Sequence, residues 1–525
     1  MLTSSAVQVH PTQSAVHLSI AGSLTCAVGV ALGSGAVVAW GSALLVGLGI
    51  ARAVTEVSVA RIRSAGFEML WRDATRARRL GRGEVITIEA ELRNREARAA
   101  RFAMLRAVAA PELDVRVEPE QGEVPGGGRL KVRVQITARR VGYHAVHGLS
   151  LELRAGPGLF EIPLTFANPF GVEVLPRAYS RLLRSMRGGR SARAAEQTRS
   201  KRRAGESLDL RELRQHLPGD PFRRIAWKAS ARRGQLLVRE HEREEHEVVF
   251  LLVDASVELG AGRMGESALD HSLDEAASVA MRHLSRGDRV GLGIIGGRVL
   301  AWLTPGRGQS HGLKLMEALA HAASPVHTDR SALDEAEIAL RVLEHMRPLD
   351  PELAGNVGPY EVDRIARRAD QLRPRAPFPQ AAVAATSARE LALRSYLAAF
   401  GIGSPLRAGP ERNEADELIG QALTRLRGER PHPSLIYLWS PAPEPATRQR
   451  LVEIAARRRS RKSTLIWVSV QSHAGIDVGS DANAVGARAL LRRARLGAQQ
   501  GERALRRLGI QVERSFADVE PGEPR

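Results

Sequence analysis

Cys26 is the only cysteine in 525 residues, which excludes internal disulfides and every metal site built on a cysteine cluster, and fits a reducing compartment. Aromatic residues are scarce, at 4%. No Lys or Arg precedes Arg52 and no charged residue of any kind lies between His17 and Arg52. There is no Gly-rich P-loop motif, so the chain is not expected to hydrolyse nucleotides itself. What is present is ample apolar content, 43%, with 26% charged residues. This length and balance suit roughly three folded domains of about 150 residues and argue against wholesale disorder. The 77 Lys and Arg exceed the 58 Asp and Glu by 19. Such an excess suits a polyanionic partner, but a coding bias toward Arg and Ala produces it too.

The uncharged run LSIAGSLTCAVGVALGSGAVVAWGSALLVGLGIA is too long for one upright span, which needs about 20 residues, and slightly short for two. A membrane hairpin over residues 18–54, turning near Gly33-Ser34-Gly35 behind a tail of residues 1–17, is expected. Arg52, Arg61 and Arg63 follow the run, which places the remainder on the cytoplasmic face of the inner membrane by the positive-inside rule.

Residues 76–176 carry short alternating runs such as EVITIEAEL and RLKVRVQITA, the period of strands in a β-sandwich-like domain. A linker, residues 177–203, then holds ten Lys or Arg against Glu196 alone. Nucleic acid is a less favoured partner for this run and for residues 457–462; the linker, with Tyr179 as its one aromatic residue, has no run of interleaved aromatics and no recognisable binding motif. Residues 247–515 alternate buried strands (VVFLLVD, LIYLWS, TLIWVSV) with amphipathic helices, a pattern that predicts an α/β domain with a mostly parallel, Rossmann-like sheet. Residues 348–413 read as an insertion, helical near Ser387 to Phe400, and residues 516–525 as a tail.

Residues 205–246 contain GESLDLRELRQHLPGDPFRRIAWKASARRGQLLVREHE, followed by VVFLLVDAS. This stretch resembles the signature of the bacterial domain-of-unknown-function family 58, DUF58. Ala226 stands where the family pattern has aspartate. The resemblance implies a membrane hairpin, a sandwich ending in a stretch matched here by Asn168-Pro169-Phe170-Gly171, and a von Willebrand factor A-like domain. It also implies work beside a MoxR-type AAA+ ATPase. Physically the signature reads as a clasp in which Pro218-Gly219-Asp220 turns the chain, Asp220 caps the next helical turn, and Ile225 and Trp227 are apolar anchors. Asp220, Arg223, Arg224, Trp227, Lys228 and Arg232 form the expected partner-binding surface.

The same resemblance implies a divalent-ion site, for Mg2+ or Ca2+, from Asp254, Ser256 and Thr328. Glu258 replaces a second serine, and Ser440-Pro441 lacks the expected aspartate. Two enzyme motifs compete. Gly308-Gln309-Ser310-His311-Gly312 fits a hydrolase elbow, but Pro305, Gly306 and Arg307 separate Ser310 from the strand. His241-Glu242 with His246 misses the zinc-protease helical spacing by one position. The expected function is therefore a membrane-tethered, non-enzymatic adaptor that binds proteins.

Overall fold

The structure is a computed structural model and describes residues 9–154, 158–179, 202–217, 222, 225–244, 246–323, 333–347, 358, 361–378, 385–403, 411–446, 448–457, 463–471 and 484–515. The chain forms two units, Met1–Leu175 with Ala323–Ala408, and Pro176–Ala322 with Gly409–Arg525.

The uncharged run folds as an antiparallel helix pair, α1 (Gln13–Ala31) and α2 (Gly35–Ala65). Thr12 caps α1 by accepting the Ala15 amide at 3.4 Å, and Gly33 makes the turn at φ 64°, where a side chain would be strained. Small residues bring the helices together: a Cβ on Gly41 would stand 2.7 Å from the Cys26 amide nitrogen and 2.8 Å from the Gly22 oxygen. Outward, Leu24, Val30, Trp40, Val46 and Ile50 are exposed. Both helices are long and apolar enough to cross a membrane. At 1.5 Å per residue α2 is about 47 Å long, more than the roughly 30 Å of hydrocarbon, and its last turns bury Val59 and Ile62 in a β core. Gly41→Val is expected to splay the pair, destabilising it by about 1–3 kcal/mol. Thermal melts in nanodiscs check this against Gly47→Val, which faces open space.

That core lies between two sheets of nearly all antiparallel strands. One runs β2 (Phe67–Trp71), β4 (Val85–Asn94), β8 (Arg129–Ala138), β6 (Leu113–Glu118); the other runs β1 (His10–Pro11), β10 (Phe160–Leu175), β9 (Gly142–Arg154), β5 (Ala100–Ala109), β7 (Gly122–Val124), with β3 (Ala77–Gly81) parallel to β10. The register sets the inward rows: Ile88 faces Val134 and Ala90 faces Val132 across β4 and β8, and all four are buried. Period-two apolar patterning puts alternate residues of each strand into one core.

In the second unit β11 (Arg202–Gln215) and β12 (Leu237–Glu244) pair antiparallel around the short helix α3 (Trp227–Arg233). A six-stranded sheet follows, in the order β15-β14-β13-β16-β17-β18. Its strands are β13 (Val248–Asp254), β14 (Arg289–Ile295), β15 (Val299–Gly306), β16 (Leu435–Ser440), β17 (Thr464–Ser469) and β18 (Gln511–Arg514). Helices α4 (Ala268–Ser285) and α5 (Gly308–Ala323) come first. The chain then leaves for α6 (Glu335–Met346), α7 (Val362–Leu372) and α8 (Ala388–Phe400), and returns as α9 (Glu411–Arg425), α10 (Gln449–Arg457) and α11 (Ala484–Arg507).

The Rossmann-like, von Willebrand A-like domain expected over residues 247–515 is therefore corrected. The sheet is mixed, because β15 returns antiparallel on β14 through a tight turn at Gly296 to Arg298, a connection too short for a parallel crossover. Moreover, α6, α7 and α8 share an apolar core of their own and belong with the sandwich unit. Arg341 of α6 donates to the Gly403 carbonyl and Tyr143 of β9 stacks edge-on against Phe378, 5.4 Å apart.

Candidate functional site

The carboxyl ends of β13 and β16 bring Asp254 and Ser440 together. Both are fully buried. Strand β17 helps to hold this corner, since Trp467 Nε1 donates to the Ser440 carbonyl at 2.9 Å. The Ser440 hydroxyl donates to Asp254 Oδ2 at 2.8 Å, while the Ser256 amide, at 3.0 Å, and the Ser256 hydroxyl both donate to Oδ1. The remaining partner comes from the start of α9: Arg412 Nη1 lies 2.7 Å from Asp254 Oδ2. It also donates to Ser256 Oγ at 2.9 Å and to Glu258 at 3.2 Å. One turn on, Asp416 accepts from Arg412 Nε at 2.9 Å and is gripped from the other side by Arg448, whose Nη2 is 2.6 Å away and whose Nη1 donates to the Pro441 carbonyl. An open cleft of about 520 Å³, lined by Asn413, Asp416, Gly420, Thr424, Arg448 and Ile454, adjoins this chain of charges.

Burial pushes the Asp254 carboxyl pKa up, but the Arg412 charge and the Ser256 and Ser440 hydrogen bonds outweigh it and hold the group below the usual carboxylate value. For Arg412 burial acts against the charge, and Asp254, Asp416 and Glu258 together raise its pKa above that of an ordinary arginine. The pair is thus ionised at neutral pH. A carboxylate with a depressed folded pKa stabilises above its unfolded value, and that contribution is lost as pH falls through the folded one. This contribution to the second unit is expected to be lost only below the ordinary carboxylate range, and Asp254→Asn to flatten that part of the acid limb in pH-dependent denaturant titrations.

The donor set does not fit Mg2+ or Ca2+ while Arg412 holds Asp254. Every oxygen of Asp254 is engaged, and the positive charge in the corner is already supplied by a guanidinium, which has no place beside a divalent cation. Of the residues expected to ligate, Asp254 and Ser256 meet, Glu258 reaches them only through Arg412, and Thr328 lies outside the described residues. Arg412 escaped the sequence reading because nothing local links it to a strand end. The one available signal is its spacing of four from Asp416 on a helix, which is the geometry of a helical ion pair.

The signature segment is corrected in one respect and extended in another. Ile225 is buried, as expected of an anchor, and pairs with Val238 across the sheet edge. Trp227 is not an anchor: it is 62% exposed, and Phe222 is 73% exposed. The residue that pins α3 is Ser230, whose hydroxyl accepts the Leu237 amide at 2.9 Å and donates to the Ala226 carbonyl at 3.1 Å. Lys228 and Arg232 lie exposed on the same helix. Asp220, Arg223 and Arg224 lie outside the described residues, as do residues 180–201 of the basic linker and 458–462 of the second basic run.

The enzyme motifs do not assemble. Ser310 is the third residue of α5 and is exposed, and the neighbouring His311 has its Nε2 on the Val290 carbonyl at 2.7 Å. His241 and Glu242 lie on strand β12, not on a helix. At the opposite end of the mixed sheet, Glu247, His283 and Asp288 bring donor atoms within 4.8 Å of one another. Here Asp288 takes His283 Nδ1 at 2.8 Å and the Glu247 amide at 3.0 Å, so it ties α4 to the starts of β13 and β14.

Comparison with known proteins adds little beyond the family. The uncharacterized protein YeaD of Bacillus subtilis (strain 168) is 34% identical over 84 residues, 16% of this chain and 19% of that protein, so the chain spans about a fifth of the length of that curated relative. Among solved structures, a PapD-like domain of human CEP192 is 17% identical, with 21% of this chain and 86% of that one covered at a TM-score of 0.17. WR4, a C. elegans MSP family member, is 10% identical, with coverages of 21% and 94% and a TM-score of 0.14. Residues 212–348, which contain the signature helix, β13 to β15 and, of the corner, Asp254, Ser256 and Glu258 but not Arg412, Asp416, Ser440 or Arg448, match the family described as protein of unknown function DUF58.

Proposed function

We propose that this chain is a membrane-anchored adaptor with its body in the cytoplasm, that it performs no chemistry of its own, and that it docks a protein partner on α3. A MoxR-type AAA+ ATPase is the first partner to test, on the strength of the resemblance to DUF58. One observation carries the reading: α3 is held firmly from behind while its largest side chain faces out. Ile225 and Ser230 fix the backbone, so Trp227 is presented outward with Lys228 and Arg232 exposed on the same short helix. Preorganised Trp and Arg side chains are the groups that dominate protein interfaces. The apolar hairpin and the cations that follow it support the membrane anchor and the cytoplasmic orientation.

The test uses the full chain in nanodiscs and a purified MoxR-type ATPase from the same cells. Wild type should bind, and Trp227→Ala should weaken binding about 30-fold or more, the effect of losing about 2 kcal/mol at an interface hot spot. Equal binding by both chains would remove α3 as the docking site. Binding by neither would remove this partner.

A further inference from the structure

Helix α11 is docked over only part of its length. Near its carboxyl end Gly501, Glu502 and Leu505 are buried, and a Cβ on Gly501 would stand 2.8 Å from the Pro443 oxygen. Glu502 there takes both Arg506 and Arg514, each at 3.5 Å. The amino-terminal half is less covered: on the docking side Leu490 is 71% exposed, Ala494 is exposed and Ala487, Leu491 and Ala498 are half-buried, while Val485 and Leu496, on the far side, are exposed as well.

At 100° per residue, Ala487, Leu490, Leu491, Ala494 and Ala498 fall within the same arc, about 100° wide, as Gly501 and Leu505. The apolar stripe that docks the carboxyl half therefore continues along the amino-terminal half, where Leu490 and Ala494 reach solvent. Arg488, Arg492 and Arg495 border the stripe on one side and Arg493 on the other. All four are exposed, none has an ion pair among the described residues, and no acidic residue occurs between Ala484 and Gln500. An apolar stripe edged by unpaired cations is the pattern of a helix that lies in a membrane interface, its chain stems reaching over the acyl region and its guanidinium groups meeting phosphates.

We infer that residues 485–496 lie on an anionic lipid surface, making α11 a second membrane contact. This rests on the reading of α1 and α2 as a membrane anchor. The bilayer is favoured over another protein as the occupant for two reasons. The charge is complementary to anionic headgroups, and a chain already held at the bilayer needs only a weak second contact to stay seated.

The full chain with Cys26→Ser and Leu490→Cys, labelled with an environment-sensitive fluorophore, is placed in nanodiscs of phosphatidylcholine alone or mixed with phosphatidylglycerol. A blue shift and quenching by lipid-borne quenchers are expected in the anionic discs only. Both should vanish when Arg488, Arg492, Arg493 and Arg495 are all changed to Glu. A label that stays in water while the chain remains disc-bound overturns the inference and leaves the hairpin reading intact. Loss of the chain from the discs instead overturns the hairpin reading, and this one with it. An equal shift in both compositions overturns the anionic recognition, and a shift that appears in detergent and grows with protein concentration shows self-association in its place.

Discussion

Arg412→Ala is expected to destabilise the second unit by about 3–5 kcal/mol, the usual consequence of leaving a buried charge without its partner. Asp254 is fully buried, and after the truncation only Ser256 and Ser440 would remain to solvate its charge. Asp254→Ala should cost less, because Arg412 keeps Asp416 and Glu258. The expected order is the signature of a pair whose anion is the more deeply buried member. Amide hydrogen exchange in β13 reads it locally: protection should fall on the order of a hundredfold or more in Arg412→Ala, since each 1.4 kcal/mol is a factor of ten. Exchange in the sandwich strands of the other unit should not change. The same variant tests the metal expectation. If the oxygens of Asp254, Ser256 and Ser440 can hold a divalent ion once the guanidinium is gone, millimolar Mg2+ or Ca2+ should restore protection in Arg412→Ala and do nothing to wild type.

The sandwich unit should lose at least about 3 kcal/mol of stability between neutral pH and pH 4. His147 of β9 and His345 of α6 are packed edge to face with ring centroids 4.1 Å apart. His345 Nδ1 is 2.9 Å from the Tyr396 hydroxyl of α8. Burial holds His147 down to about 4, and burial with the neighbouring His147 holds His345 well below 6.5. His144 on the same strand is lowered by burial too, against the pull of Glu112. In the folded unit these rings are neutral, whereas the unfolded chain binds protons from about pH 6.5 downward. A base with a depressed folded pKa therefore favours unfolding as pH falls from 6.5 toward 4, and for His147 alone that interval is worth about 3 kcal/mol. Denaturant titrations at pH 7 and pH 4, followed by exchange in α6 and α8, should show the loss, and His147→Phe should reduce it. A pH-independent midpoint would mean that these histidines are solvated or protonated in the folded chain.

The parts of this protein that were legible in the sequence are those carried by neighbours along the chain. An uncharged run broken by Gly33 specifies two apolar helices, each long enough to cross a membrane. Val, Ile and Leu at every second position specify sandwich strands, and Ser387 before a helical pattern starts α8 where expected. The antiparallel return of β15 was less legible, because RVLAWLTP reads the same in either direction of pairing, and direction is set by the length of the turn before it. Trp227 misled for a related reason: an apolar residue next to a buried Ile225 looks like core, and on a seven-residue helix pinned by Ser230 it turns out to the other side.

The sequence by itself determined the apolar helix pair, the strand and helix periods and the signature segment, since each is a pattern written within a few turns or one hairpin of chain. Only the tertiary structure decided that Arg412, 156 residues from Ser256, neutralises Asp254, that His147 meets His345, and that α6 to α8 join the sandwich unit. Such pairings depend on which faces remain to be covered after the local elements form, and on what desolvation leaves a buried charge to bind, and neither quantity has a period that can be read along the chain.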